Sequence, residues 1–309
     1  MPPFIDPKTL ARIKDLPLAA KTIAEGFLHG LQTSIQRGVG IEFNQYRAYE
    51  VGDNLNRIDW KLFARSDRYF VRETERESEV DIWFLLDTSR SMLQSSQTKI
   101  SHKSEEQNPE WNKLEYAKYL IASLSYLAQK QGDTFGYFSL SDDTQKDSFL
   151  PTGNGEKHWQ KLLILLAQTK QGNFFPNLKF LQQRIERLRK PAIIFLISDF
   201  NQTNNEIVDF LSKLNGSLSE VSAIQLTSSD ELEFNYSGTC RFKDLETKEE
   251  ILVSASTTKK IYLKSYQDYQ NNLDSKLNDI NIGIERFNID QPLDQALYSY
   301  LRRRHRVTK

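Results

Sequence analysis

The sequence predicts an α/β protein built on a doubly wound, mostly parallel sheet, and three observations carry that expectation. Two uninterrupted apolar runs, Ile82 to Leu86 and Ala192 to Ile197, have the length of strands and the all-round hydrophobicity of strands covered on both faces. From residue 80 onward such runs alternate with segments of helical periodicity, as repeated strand–helix units require. Both long runs stop abruptly at oxygen-bearing residues, Asp87-Thr88-Ser89-Arg90-Ser91 and Ser198-Asp199. Ligands of open α/β sheets bind outside the carboxyl ends of strands, so these two stops are the first candidates for a site.

The elements follow in order. Leu10 to Leu31 reads as an amphipathic helix after a short lead, interrupted by charges and broken at Pro17. Residues 113–130 carry Leu114, Ala117, Leu120, Ile121, Leu124 and Leu127 at helical spacing, with Gly132 as the stop. Residues 134–140 are strand-like, and residues 156–168 form a helix with Trp159, Leu162, Leu163 and Leu166 on one side. Helices are expected over residues 177–189 and 205–214, with a strand over 221–226. A helix over residues 265–278, a strand over 282–287 and a final helix over 293–304 complete the series. Residues 228–264 interrupt this rhythm and read as a β-hairpin insertion, with strands near 239–242 and 250–253. Residues 94–112 form a polar loop.

At 309 residues the chain is long enough to bury a proper core. Its 41 basic and 41 acidic residues give no net pull toward nucleic acid or an anionic membrane. One cysteine excludes a disulfide framework, and four scattered histidines leave no zinc-type cluster. No stretch reaches the ~20 apolar residues of a membrane span. A cytoplasmic location is expected.

Residues 34–79 differ from the rest, being dense in Arg, Asp, Glu and aromatic residues without a helical apolar stripe. They contain Gly38, Gly40, Glu42, Phe43, Arg47, Tyr49, Gly52, Asp53, Arg57, Ile58, Asp59, Trp60, Ala64 and Arg65 at fixed spacing. Bidentate pairs of Arg47, Arg57 and Arg65 with Glu42, Asp53 and Asp59 would fasten such a segment across a sheet, and a partner-binding role is the alternative. The expected organisation is an N-terminal helix plus signature segment over residues 1–79, followed by the sheet domain over 80–309.

This signature resembles that of the bacterial family called domain of unknown function 58, in which it precedes a von Willebrand factor A-like domain. Asp87-x-Ser89-x-Ser91-Met92, Ile197-Ser198-Asp199 and the turn at Asp244 to Thr247 fit the same family. The resemblance implies a metal-ion-dependent adhesion site. Its ligands would be Asp87, Ser89 and Ser91 from a first loop, a Thr from a second loop, and Asp199 from a third. The ion would be Mg²⁺ or Mn²⁺, since hard cations take oxygen ligands and keep several waters. The second loop reads Gly172-Asn173-Phe174-Phe175-Pro176-Asn177 and holds no Thr; Asn177 offers an amide oxygen or a helix cap. Two outcomes stay open: a bound ion, or Asp199 hydrogen-bonded to the serine hydroxyls. Two facing carboxylates otherwise repel, so one needs a raised pKa or a cation.

The resemblance further implies a non-enzymatic protein-binding adaptor working with a MoxR-type AAA+ ATPase on client proteins. Gly153 to His158 lacks phosphate-loop spacing, and Ser89 and Ser91 have no nucleophile elbow and no neighbouring His. A metal-dependent hydrolase at the Asp87/Asp199 cleft is one alternative. A nucleic-acid-binding module using the Arg-rich segment and the basic tail at residues 302–306 is the other.

Overall fold

The computed structural model describes residues 15–35, 45–48, 70–73, 81–95, 111–142, 148–178, 181, 186, 188, 191–201, 205–215, 219–245 and 247–297. The chain divides into two compact units, Leu31–Glu79 and the remainder. In the smaller unit, strands β1 (Gln45–Ala48) and β2 (Phe70–Glu73) pair antiparallel, Gln45 opposite Glu73. The expected Arg–carboxylate pairs of the signature segment lie outside the described residues.

The larger unit is the predicted α/β sheet. Its strands are β3 (Asp81–Asp87), β4 (Phe135–Leu140), β5 (Phe149–Gly153), β6 (Ala192–Ser198), β7 (Glu220–Thr227) and β10 (Gly283–Asn288), in the spatial order β10-β7-β6-β3-β4-β5. All neighbours run parallel except β4 and β5. The chain leaves β3 toward one edge and leaves β6 toward the other. The crevice between the carboxyl ends of β3 and β6 is therefore the topological switch point, where such sheets hold ligands.

The central strands are buried on both faces because helices cover both. Phe84 stacks on Phe195 across β3 and β6 with ring centroids 5.7 Å apart. Trp83 stacks on Phe149 at 5.9 Å. Gly136 in β4 makes room for that indole: a Cβ there would lie 2.6 Å from Trp83 Cζ3. Helix α2 (Lys113–Gln131) is buried on nearly every face and capped at both ends. Asn112 Oδ1 accepts the Glu115 N–H at 2.9 Å, and Gly132 closes the helix at φ 87°. Helix α3 (Glu156–Gln168) buries Trp159, whose indole N–H donates to the Ala122 carbonyl at 3.2 Å.

Three expectations need correction. The N-terminal helix, α1, runs Leu16–Ile35 and is not broken at Pro17. Proline sits in its first turn, where a missing N–H breaks no hydrogen bond, and Asp15 Oδ1 accepts the Leu18 N–H at 3.1 Å. The late helix starts ten residues earlier than its periodicity suggests, as α6 (Ala255–Asp279), because its first turns bury only Ala255. The insertion at residues 228–264 accordingly shrinks to a short helix, α5 (Ser229–Glu233), and an antiparallel hairpin, β8 (Thr239–Lys243) and β9 (Glu250–Ser254). Helix α4 (Glu206–Asn215) stands one residue from its expected bounds. Most of the helix expected over residues 177–189, and the end of the final one, lie outside the described residues.

Candidate functional site

Three neighbouring strand ends and the start of one helix converge at the switch point. Asp87 closes β3 and is 1% exposed. Its Oδ1 accepts the backbone N–H of Ser89 at 2.8 Å, which curls the loop back on itself. Its Oδ2 accepts the hydroxyl of Ser198, the last residue of β6, at 2.6 Å. Ser198 Oγ in turn accepts the Phe200 N–H at 2.9 Å. Phe200 is fully buried at φ 58°, a left-handed conformation that costs a non-glycine residue about 1–3 kcal/mol. The turn at Phe200 follows directly on Asp199, whose carboxylate lies at the first loop. Ser91 Oγ donates to Asp199 Oδ1 at 3.2 Å, and Ser89 Oγ lies 3.0 Å from Ser91 Oγ.

Lys113, the first residue of α2, also reaches the site, with a side chain only 1% exposed. Its ammonium donates to Asp199 Oδ2 at 3.3 Å, to Glu231 Oε1 at 2.7 Å and to Gln94 Oε1 at 3.1 Å. Glu231 is placed by the helix that follows β7. Ser228 caps that helix, and Glu231 Oε2 accepts the Ser228 N–H at 2.8 Å in a reciprocal capping box. Burial alone would pull the Lys113 pKa down, but the charges of Asp199 and Glu231 outweigh it and hold the ammonium above the ordinary lysine range. Burial, followed by the Asp199 charge, pushes Asp87 up to about 6 against the hydrogen bonds from Ser198 and Ser89. The repulsion between the two aspartates is thus met in both available ways, by a raised pKa on one and a cation beside the other.

The donor set fits a hard cation in part. Adjacent ligands of an octahedral ion with oxygens roughly 2.1 Å away stand about 3 Å apart. The Ser89–Ser91 and Ser91–Asp199 oxygen separations, 3.0 and 3.2 Å, have that size. Ser89, Ser91 and Asp199 are the residues that would hold Mg²⁺ or Mn²⁺, while both Asp87 oxygens are engaged in fixing the loops. The ion would supply a positive centre with open positions for a partner's oxygen. Among the described residues no group of three or more His, Cys, Asp and Glu forms a ligand cluster. The Asp199 charge is shared with Lys113, which weakens any competitor for it.

The second loop docks on the first without a hydroxyl. The Gly172 N–H donates to the Thr88 carbonyl at 2.7 Å, and the Arg90 N–H to the Asn173 carbonyl at 3.1 Å. Arg90 Nη2 donates to Asn173 Oδ1 at 3.1 Å, so a guanidinium engages this loop's amide. Asn177, the sequence's candidate substitute ligand, directly precedes the helical Leu178.

All four residues expected at the site, Asp87, Ser89, Ser91 and Asp199, are brought together. Sequence reasoning missed Lys113 and Glu231. Lys113 left a signal: a lysine at the first position of a helix opposes the helix dipole, so something other than the helix holds it there.

A doubly wound sheet with a D-x-S-x-S loop and an aspartate on adjacent strand ends at its switch point agrees with the layout that the family resemblance implies. The chain belongs to the family described as Protein of unknown function DUF58, whose model matches residues 45–272. Uncharacterized proteins of Mycobacterium tuberculosis (strain H37Rv) and Mycobacterium bovis are 27% identical over 201 residues, 63% of this chain. The chain spans 58% of the length of these curated relatives. Among solved structures, an aerotolerance-related membrane protein from Bacteroides fragilis is similar at TM-score 0.39 and 15% identity, covering 72% of this chain and 99% of that one. BatB from Bacteroides thetaiotaomicron is similar at TM-score 0.37 and 14% identity, covering 72% and 98%. No helix among the described residues is long and apolar enough to cross a membrane.

Proposed function

We propose that this chain is a non-enzymatic protein-binding module whose contact face is the carboxyl end of the sheet. One observation carries the reading: the ionisable groups at the switch point are spent on one another. Lys113 is fastened between two carboxylates, and both oxygens of Asp87 accept hydrogen bonds from neighbouring loops. Groups held this way form a rigid platform and are poorly placed to move protons. What faces outward is a recognition surface. Arg90 and Ser91 are half-buried, Asn201 is exposed, and Phe174, next to Asn173, is 49% exposed.

The partner this reading favours is a MoxR-type AAA+ ATPase, acting with the module in the cytoplasm on a client protein. Family resemblance supports that choice. A divalent ion on Ser89, Ser91 and Asp199 would extend the face, since a partner's carboxylate can fill its open position.

Purified chain and purified MoxR-type ATPase from the same organism provide the test. Arg90→Ala and Phe174→Ala are expected to weaken binding at least tenfold with unchanged melting temperatures. Binding indifferent to both substitutions would move the interface elsewhere. Nucleotide or phosphate-ester turnover abolished by Asp199→Asn would replace the reading with a catalytic one.

A further inference from the structure

Beside the strand-end site lies a cavity of about 470 Å³ that shares Gln94, Asn201 and Glu231 with it. Its walls come from α5, the hairpin and α6, and they are aromatic to an unusual degree. Phe234, Tyr236, Phe242, Tyr262 and Tyr266 all line it. The rings brace one another: Phe234 lies 4.8 Å from Tyr262 and 5.1 Å from Tyr236, and Tyr262 stacks on Tyr266 at 6.0 Å and 19°. Phe234 holds a left-handed backbone at φ 49°, which ends α5 and starts the segment leading to Tyr236.

Both charged side chains in these walls are carboxylates, and one of them, Glu231, is already paired with Lys113. Asp230, 8% exposed, and Glu231 both line the cavity. Their effect reaches the phenols: burial and then the charges of Asp230 and Glu231 push Tyr236 up to about 12. Burial and then Glu231 raise Tyr262 and Tyr266 as well, with Lys113 and Arg286 pulling Tyr266 the other way. The Tyr262 hydroxyl donates to the Glu231 carbonyl at 3.1 Å, which leaves its ring as a wall. The Tyr266 hydroxyl is buried beside Gln270. Aromatic faces attract cations through their quadrupole, and a carboxylate in the wall such as that of Asp230 adds charge. Among cationic side chains, guanidinium combines a flat face that stacks on rings with a fork of donors for carboxylates.

We propose that this cavity receives an arginine side chain presented by the protein partner that covers the strand-end face. The proposal rests on the protein-binding reading and deepens it. The cavity adjoins that face through Gln94 and Asn201, so a polypeptide lying across Ser91 and Asn201 has the aromatic walls within reach of one side chain.

The test uses the full chain with its tyrosines labelled with carbon-13, titrated with N-acetyl-arginine amide and watched by NMR. The citrulline amide, which has the same shape without the charge, is the control, and choline is a third probe. The arginine compound is expected to shift Tyr236, Tyr262 and Tyr266 together, and citrulline to bind roughly tenfold more weakly, the difference that a cation–π and charge contribution gives. Asp230→Asn, with unchanged melting temperature, is expected to weaken arginine binding by a similar factor. Equal binding of citrulline, or no shift with arginine, overturns the proposal. Choline binding tenfold tighter than arginine overturns it too, by reassigning the cavity to a free quaternary amine. The two readings fail separately. A silent titration with ATPase capture still sensitive to Arg90→Ala removes the cavity assignment alone. Arginine binding in a chain whose ATPase capture ignores Arg90→Ala removes the proposed interface.

Discussion

The ammonium of Lys113 lies 3.3 Å from Asp199 Oδ2, and each of the two side chains is 1% exposed. Glu231, the other partner of Lys113, is 11% exposed at its side chain. This trio ties the first turn of α2 to the ends of β6 and β7.

Removing one side of a buried pair leaves a charge without compensation, at a cost of ~3–5 kcal/mol. Lys113→Met is therefore expected to lower unfolding stability by about that amount, measured by urea titration. Combining it with Asp199→Asn should recover part of the loss, because only Glu231 then remains as a carboxylate without its ammonium. A double variant as unstable as the sum of the two single ones would show that the pair does not couple.

The same lysine is expected to set any response to metal. Lys113 and a divalent ion would compete for the charge of Asp199. Wild type is expected to show a small rise in melting temperature with millimolar Mg²⁺ or Mn²⁺, and Lys113→Met a larger one. A ligand at ~100 times its Kd stabilises by ~2.7 kcal/mol. Ser91→Ala, which removes the bridging hydroxyl, should abolish both rises. A response that survives Ser91→Ala places the ion elsewhere.

Most of the fold was legible because its driving pattern is local. The apolar runs of β3 and β6 admit no other reading, and α3 occupies its expected bounds, Glu156–Gln168, because one stripe carries Trp159 and three leucines. The first turns of α6 were illegible for the opposite reason. Thr257, Thr258, Lys259 and Lys260 offer no stripe, and Ile261 is 69% exposed. Pro17 was misread as a break because a proline's meaning depends on whether it stands in the first turn or deeper. At the site, Asp87, Ser89, Ser91 and Asp199 were readable from their places after strands. Lys113 and Glu231 are 118 residues apart, and only the assembled sheet brings them together.

Ser95 and Asn112 form an antiparallel bridge, and the Lys113 N–H donates to the Gln94 carbonyl at 3.2 Å. The two ends of the intervening segment are therefore held by the folded core. Replacing residues 96–110 with a short Gly-Ser linker is expected to change stability by less than about 1 kcal/mol in urea, since loop entropy varies slowly with length. Trp111 must be kept, because its indole N–H donates to the Ile289 carbonyl at 2.9 Å. A large loss would give the segment a structural role.

Gly136 should not accept a methyl group. Its Cβ would meet the Trp83 ring, which is pinned by Phe149 on the same strand layer. Gly136→Ala is expected to cost ~1–3 kcal/mol through overpacking, with a matching change in the near-ultraviolet signal of Trp83. Trp83→Leu in the same background should relieve the clash.

Acylating reagents attack the neutral form of an amine, and an ammonium wedged between two carboxylates under a helix end offers neither that form nor an approach path. Lys113 is thus set apart chemically from the exposed lysines of this chain, such as Lys243. Under exhaustive labelling it should remain bare until the first turn of α2 parts from the strand ends, so its slow modification, followed by mass spectrometry, acts as a clock for that opening.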